Sequence, residues 1–135
     1  MKNMIGIHFK YPKKHTTEFI SVKCANIDKN IIPVVLWLNN HQNIHTLHSC
    51  EGSQEQSIYV LFTCSDICDL YDVNSIVNDF TESLFKRGWR DGYNITITSE
   101  VYRRTLRFNM KFDNTKIRKK FCKYLLENCI DIEWR

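Results

Sequence analysis

Glycine and proline are scarce in this chain of 135 residues, which holds four of the first and two of the second. That scarcity excludes a collagen-like repeat, a low-complexity scaffold and a disordered tail. The glycines, Gly6, Gly52, Gly88 and Gly92, never fall at G-x-G spacing. A Walker loop and a dinucleotide-binding fingerprint are therefore excluded, because both need several glycines for backbone amides to approach a phosphate. Long apolar runs are missing as well. No stretch is apolar enough to span a bilayer, and the opening MKNMIGIHFKYPKKH holds no run long enough for a secretory signal. The expectation is a cytoplasmic protein with no membrane partner and reduced thiols.

What is present is a hydrophobic fraction of 43%, enough to give residues 1–135 one core and make them a single domain. Six cysteines, Cys24, Cys50, Cys64, Cys68, Cys122 and Cys129, are read as small buried hydrophobes. Charge is unevenly spread. Residues 1–70 carry six Lys, no Arg and six acids, so they are neutral. Residues 71–135 carry 13 basic and nine acidic residues, which accounts for the whole net charge of +4. Between 102 and 123 nine cations stand against one anion, Asp113. A segment of that density attracts phosphate or an acidic partner, or it serves only to keep a surface solvated. Abundant Asn, Ile and Lys suit an AT-rich bacterial or viral source.

Hydrophobic periodicity predicts the element order. Met4–Lys10 and Glu18–Cys24 read as a hairpin joined through the turn at Tyr11–His15. Residues 28–40 are apolar almost all round and predict a buried helix, with Asp28 or Asn30 as N-cap and Pro33 in its first turn. Ile44–Cys50 and Ser57–Cys64 read as strands. Val73–Arg87 reads as a helix capped by Asp72 and stopped by Gly88. Tyr93–Ser99 and Val101–Phe112 are two further strands, Thr115–Asn128 a third helix, and Ile130–Trp134 a last edge strand. The fold class is α+β: a two-layer sandwich with a mostly antiparallel sheet of about six strands and three helices.

Two constellations are candidates for chemistry. The first is the polar cluster from His41 to Gly52. On a regular strand Thr46, His48 and Cys50 share a face, and this strand end and the turn after it would form the mouth of a small pocket, with donors from Thr46, Ser49 and backbone amides. A zinc set of His48, Cys50, Cys64 and Cys68 suits imidazole and thiolate chemistry, but no C-x-x-C pair is present. Cys50 as a nucleophile with His48 as base is another use of the same face. The plainest reading is a tight turn in which Gly52 takes a conformation closed to other residues.

The second constellation is the strand at 101–112. Alternation puts Arg103, Thr105, Arg107, Asn109 and Lys111 on one face and Tyr102, Leu106, Phe108, Met110 and Phe112 on the other. Arg103, Arg107 and Lys111, with Tyr93 or Tyr102 beside them, suit a phosphate-bearing ligand, since guanidinium is a bidentate donor and an aromatic ring stacks on a base. Trp89, between Arg87 and Arg90, offers a second stacking edge. The alternative is a merely solvated sheet face.

From Asp28 the chain reads D-x-x-I-x-P-V-V-x-x-L-N-x-H-x-x-I-x-T-L-x-S-C-E-G, followed by Tyr59-Val60-Leu61-Phe62. This resembles a motif of small bacterial and phage proteins in which a helix leads to a strand ending in Thr-x-x-Ser-Cys-x-Gly. It is also similar, more distantly, to the opening of the wybutosine-synthesis tRNA methyltransferase family, which has Ser-Cys-Ser-Gly-Arg after a comparable helix. Thr46, Ser49, Cys50 and Gly52 match; Glu51 replaces a serine, and Ser53 stands where that family has arginine. The resemblance covers about a quarter of the chain. It implies tRNA and S-adenosylmethionine as ligands without a Rossmann fold.

The expected function is a non-catalytic binding module for a nucleotide or RNA, with Thr46, His48, Ser49, Cys50, Glu51, Gly52, Arg103, Arg107 and Lys111 as ligand-binding residues. A phage or viral protein that sequesters or blocks a host factor would suit the size. No cofactor or metal is expected under this reading. The alternatives are an S-adenosylmethionine-dependent tRNA-modifying enzyme and an interaction domain whose basic helix meets an acidic host protein, with self-association compatible with either.

Overall fold

The computed structural model describes residues 3–9, 20–24, 27–52, 57–90, 92 and 94–134, with side chains over 27–52, 57–90, 92 and 94–130. The turn at Tyr11–His15, Tyr93 and Ser53 lie outside the described residues. The elements run β1 (Asn3–Phe9), β2 (Ile20–Cys24), α1 (Ile32–Asn39), β3 (Ile44–Cys50), β4 (Ile58–Cys64), α2 (Ile67–Lys86), β5 (Ile95–Tyr102), β6 (Thr105–Phe112), α3 (Thr115–Asn128) and β7 (Ile130–Trp134). The class is α+β with three helices, and the main sheet is antiparallel with four strands in the order β3-β4-β6-β5.

The expected single sheet of about six strands is instead two sheets. β2, β1 and β7 form a second, three-stranded antiparallel sheet in that order. β7 returns after α3 to pair with β1, Phe9 lying opposite Ile130, rather than extending the main sheet. Alternation along a strand tells which face is buried but not which strand is its neighbour.

One face of the main sheet makes the core. Val60 lies opposite Met110 and Phe62 opposite Phe108, and all four are buried. Phe121 on α3 joins the layers. Its ring centroid lies 5.5 Å from Trp37 of α1, 5.0 Å from Phe80 of α2 and 5.9 Å from Phe112 of β6. Burying such a side chain contributes about 1.5–3 kcal/mol, and each well-angled ring pair adds about 0.5–1.5 kcal/mol.

α1 is apolar all round because it is enclosed all round. Ile32, Val34, Val35, Leu36, Trp37 and Leu38 are all buried, against β3, α3 and β7. Pro33 sits in its first turn as expected. The N-cap expectation does not hold, because a 3₁₀ turn at Lys29–Ile31 leads into the helix and neither Asp28 nor Asn30 caps with its side chain. Both are engaged elsewhere, by the turn after β3.

α2 begins earlier than Val73. Asp66 is its cap, accepting from the Cys68 amide at 2.8 Å, and Asp69 accepts from the Asn43 amide at 3.0 Å. The first turn was hidden because its large apolar residues face solvent, Ile67 being 81% and Tyr71 74% exposed. At the other end Gly88 takes φ +91° as the expected stop. Its amide donates to Phe85 O and the Trp89 amide to Leu84 O, which satisfies carbonyls the helix leaves open.

The fifth and sixth strands turn later than expected. The hairpin reverses at Arg103 and Arg104, with φ of +49° and +65°. A two-residue turn with both residues at positive φ matches the twist of the strands it joins. Tyr102 therefore ends β5 opposite Thr105 and lies on the solvent face, not with Leu106 and Phe108.

Candidate functional site

The polar cluster after α1 is built as a clamp. A bulge interrupts the pairing of β3 with β4 between Thr46 and His48, so that Thr46 lies opposite Phe62 and His48 opposite Leu61. One extra residue reverses the alternation beyond it. Thr46 and Ser49 thus fall on the helix-facing side, while His48 and Cys50 lie on the outer face, opposite Leu61 and Tyr59. The common face expected for Thr46, His48 and Cys50 does not exist.

Thr46 is held by the last residue of α1. Asn39 Nδ2 donates to Thr46 Oγ1 at 2.8 Å, and the Thr46 amide donates to Asn39 Oδ1 at 3.1 Å. Glu51 is held at three points. Its amide donates to Asp28 Oδ2 at 3.0 Å, its carboxylate accepts from Asn30 Nδ2, and its carbonyl accepts from Arg118 Nη1. Gly52 has φ +91°, and a Cβ there would lie 2.3 Å from Ile58 Cγ1. The residues that carry the motif thus lock α1, the turn and α3 together.

The cysteines of this region are dispersed. Cys64 Sγ donates to Asp66 O at 3.0 Å, and Cys68 is exposed at the start of α2. The Asp66 carboxylate beside Cys68 holds its thiol above the ordinary range. Among the described residues no group of three His, Cys, Asp or Glu side chains is placed to hold a metal ion.

The outer face of the main sheet carries Lys111, Asn109 and Arg107 on β6, flanked by Tyr59 and Thr63 on β4 and by Thr96, Thr98 and Glu100 on β5. Arg107 is already engaged. Its Nη2 donates to Glu100 Oε1 at 2.7 Å, and its guanidinium carbon stands 4.3 Å from the centre of the Tyr102 ring. Arg103 lies in the turn rather than on the face, 5.2 Å from the same ring. Of the three cations expected there, only Lys111 projects exposed from the face itself. Cross-strand pairing with Glu100 offsets much of the charge.

α3 carries a stronger basic surface. Asn114 caps it, accepting from the Ile117 amide at 2.9 Å. Ile117, Phe121 and Leu125 turn inward, which leaves Lys116, Lys119, Lys120 and Lys123 exposed. Lys116 and Lys120 lie 5.7 and 5.1 Å from the ring of half-buried Trp89, a cation–π arrangement. On its other flank Lys119 and Lys123 border a groove of about 430 Å³ that reaches Lys29, Asn30 and Pro33. Among the described residues no carboxylate lines it.

Arg118 also lines that groove, and its charge alone does not mark it as an inward residue. It is 4% exposed. Its position was legible: Arg118, Cys122 and Leu125 recur at helical spacing within the buried sector of α3, and all three are buried. Burial pushes the Cys122 thiol up to about 11, so beside this guanidinium it stays neutral at ordinary pH.

No family model, curated protein or solved structure matches the chain. Among the described residues no helix is long and apolar enough to cross a membrane.

Proposed function

We propose that the chain is a non-catalytic binding module for a phosphate-bearing ligand, a nucleotide or RNA, and that its binding surface is the basic side of α3 with the adjoining groove. The observation that carries this reading is the convergence of Lys29, Lys119, Lys123 and Arg118 on one groove that, among the described residues, has no carboxylate in its lining. Lys116 and Lys120 extend the positive surface to Trp89, whose ring is a flat partner for a base. In this reading the four-stranded sheet and the helices are two layers of a sandwich, and the ligand lies on the helical layer. Arg103 and Arg107 are secondary, since Arg107 is paired with Glu100 at 2.7 Å, a closer pairing than the 3.9 Å between exposed Lys123 and Glu127 on α3.

The test is binding of a short single-stranded RNA followed by fluorescence anisotropy across a salt series. Engagement of four lysines gives a slope of log affinity against log salt of about −3. Reversal of Lys116, Lys119, Lys120 and Lys123 to Glu abolishes binding, whereas Arg103→Glu with Arg107→Glu leaves it largely intact. Affinity that ignores salt, or that survives the lysine reversals, refutes the reading.

A further inference from the structure

Arg118 is an unusual floor for a groove. Among the described residues its side chain has one hydrogen bond, from Nη1 to the Glu51 carbonyl, and its Nε is enclosed with no partner. Among the described residues no carboxylate forms an ion pair with it. A guanidinium carries five donors in a fixed fork and remains charged at any ordinary pH. A charge this buried is costly unless an anion faces it. The neighbouring Cys122 is no counter-charge, and the Glu51 carboxylate, which accepts from Asn30 at the edge of the groove, forms no ion pair with the guanidinium.

The surroundings favour an anion from outside. Lys29 comes from the 3₁₀ turn before α1, and Lys119 and Lys123 come from successive turns of α3, so three ammonium groups border the opening. Pro33 and Leu126 supply an apolar wall. The volume of about 430 Å³ is in the range of sites for small organic ligands.

We propose that this groove holds the terminal phosphate monoester of the ligand, with Arg118 beneath the phosphate, the three lysines around it and the Pro33–Leu126 wall against the adjoining nucleoside. The proposal rests on the phosphate-binding reading above and narrows it. Two observations favour an end group over a strand's internal phosphodiester. A monoester is a dianion and a better match for four cations than the single charge of a diester. A buried floor is also reached most readily by a group attached to the ligand on one side only, because a diester would have to bring a nucleoside in on each flank.

The shared chemistry has two sources, a free mononucleotide and the phosphorylated end of an RNA strand, and the experiment separates them. The intact chain is titrated calorimetrically with inorganic phosphate, a 5′-mononucleotide and the matching nucleoside, then with one short RNA carrying either a 5′-phosphate or a 5′-hydroxyl. The phosphorylated member of a pair should bind roughly tenfold or more tightly, the scale of one charge-assisted hydrogen bond. Preference within the RNA pair assigns the site to strand ends, and preference confined to the mononucleotide assigns it to free nucleotides.

Because Arg118 also holds the Glu51 carbonyl, the variants that decide are at the exposed rim. Lys29→Ala with Lys123→Ala should remove most of the preference while leaving the melting temperature close to that of the parent. Arg118→Lys, checked for folding by circular dichroism, should lose it as well. Salt-dependent binding of both RNAs with equal affinity overturns the groove assignment and leaves the α3 surface standing. Absence of binding to every phosphorylated probe overturns both.

Discussion

Replacement of Gly52 by Ala should be among the most damaging single-methyl changes in this protein. The residue closes the turn after β3 at φ +91°, where a Cβ would stand 2.3 Å from Ile58 Cγ1 and 3.1 Å from its Cδ1. Ile58 cannot easily yield, since it is 6% exposed and paired opposite Phe112 at the first position of an inner strand. Two costs combine. The left-handed backbone costs a side chain about 1–2 kcal/mol, and forcing a methyl into packed space costs about 1–3 kcal/mol more. The total of about 2–5 kcal/mol is a large part of a stability that for ordinary domains is about 5–15 kcal/mol. Urea unfolding followed by circular dichroism should show a midpoint lowered by about 1–2.5 M, for a slope near 2 kcal/mol per M. Gly88 provides the control, because it has the same φ of +91° with nothing within 4 Å of its added Cβ. Gly88→Ala should show the backbone cost alone. If Gly52→Ala is no more damaging than Gly88→Ala, the argument from the Ile58 contact is wrong.

Three further outcomes follow from the packing and the caps. Phe121→Ala should cost about 3–5 kcal/mol in the same unfolding assay, because it opens a cavity between all three helices and β6; a loss below 1 kcal/mol would contradict the central place given to this ring. Asp66→Ala removes the acceptor for the Cys68 amide and should cost about 1 kcal/mol, with hydrogen exchange accelerated in the first turn of α2 and unchanged in α3. For Cys122 the folded thiol is raised to about 11 from an ordinary 9.0, so its contribution is fully present below pH 9 and lost as the pH rises through 11. Alkylation of Cys122 in the folded chain should therefore lag that of exposed Cys68 at pH 8, and Cys122→Ala should flatten the fall in stability between pH 9 and 11.

Much of the fold was legible in the residues, and the parts that were not have physical reasons. β3, α3 and β7 have the bounds their patterns predict, because turn or cap residues mark where each begins, although a bulge breaks the period inside β3. The Arg103-Arg104 reversal has no local signature. Positive φ at two successive residues ordinarily calls for Asn, Asp or Gly, and two arginines conceal the turn. The bulge at Thr46–His48 is equally silent, since an extra residue in a strand is a property of its pairing. That silence is why the expected face of Thr46, His48 and Cys50 failed. In the candidate site, the density of cations between 102 and 123 points to the segment that holds α3, but strand period alone points to Arg103 and Arg107. Glu100 and Tyr102, which engage Arg107, come from the neighbouring strand and are invisible to a reading of β6 alone. Arg118 is hidden by its charge, which ordinarily marks a solvent-facing position, although its helical position places it inside.

The pairing of β1 with β7 bears on the order of folding. Phe9 meets Ile130 across a loop of roughly 120 residues, and closing a flexible loop of that length costs on the order of 4 kcal/mol of chain entropy. The β3–β4 and β5–β6 hairpins close far shorter loops and can form while the chain is still being synthesised. β1 must wait. Until α3 has docked and Ile130 is in reach, its second edge is open to any other strand in the vicinity. Expression conditions that slow the last steps of synthesis should therefore favour aggregation through β1, and trapping at that stage would be relieved by whatever hastens docking of α3.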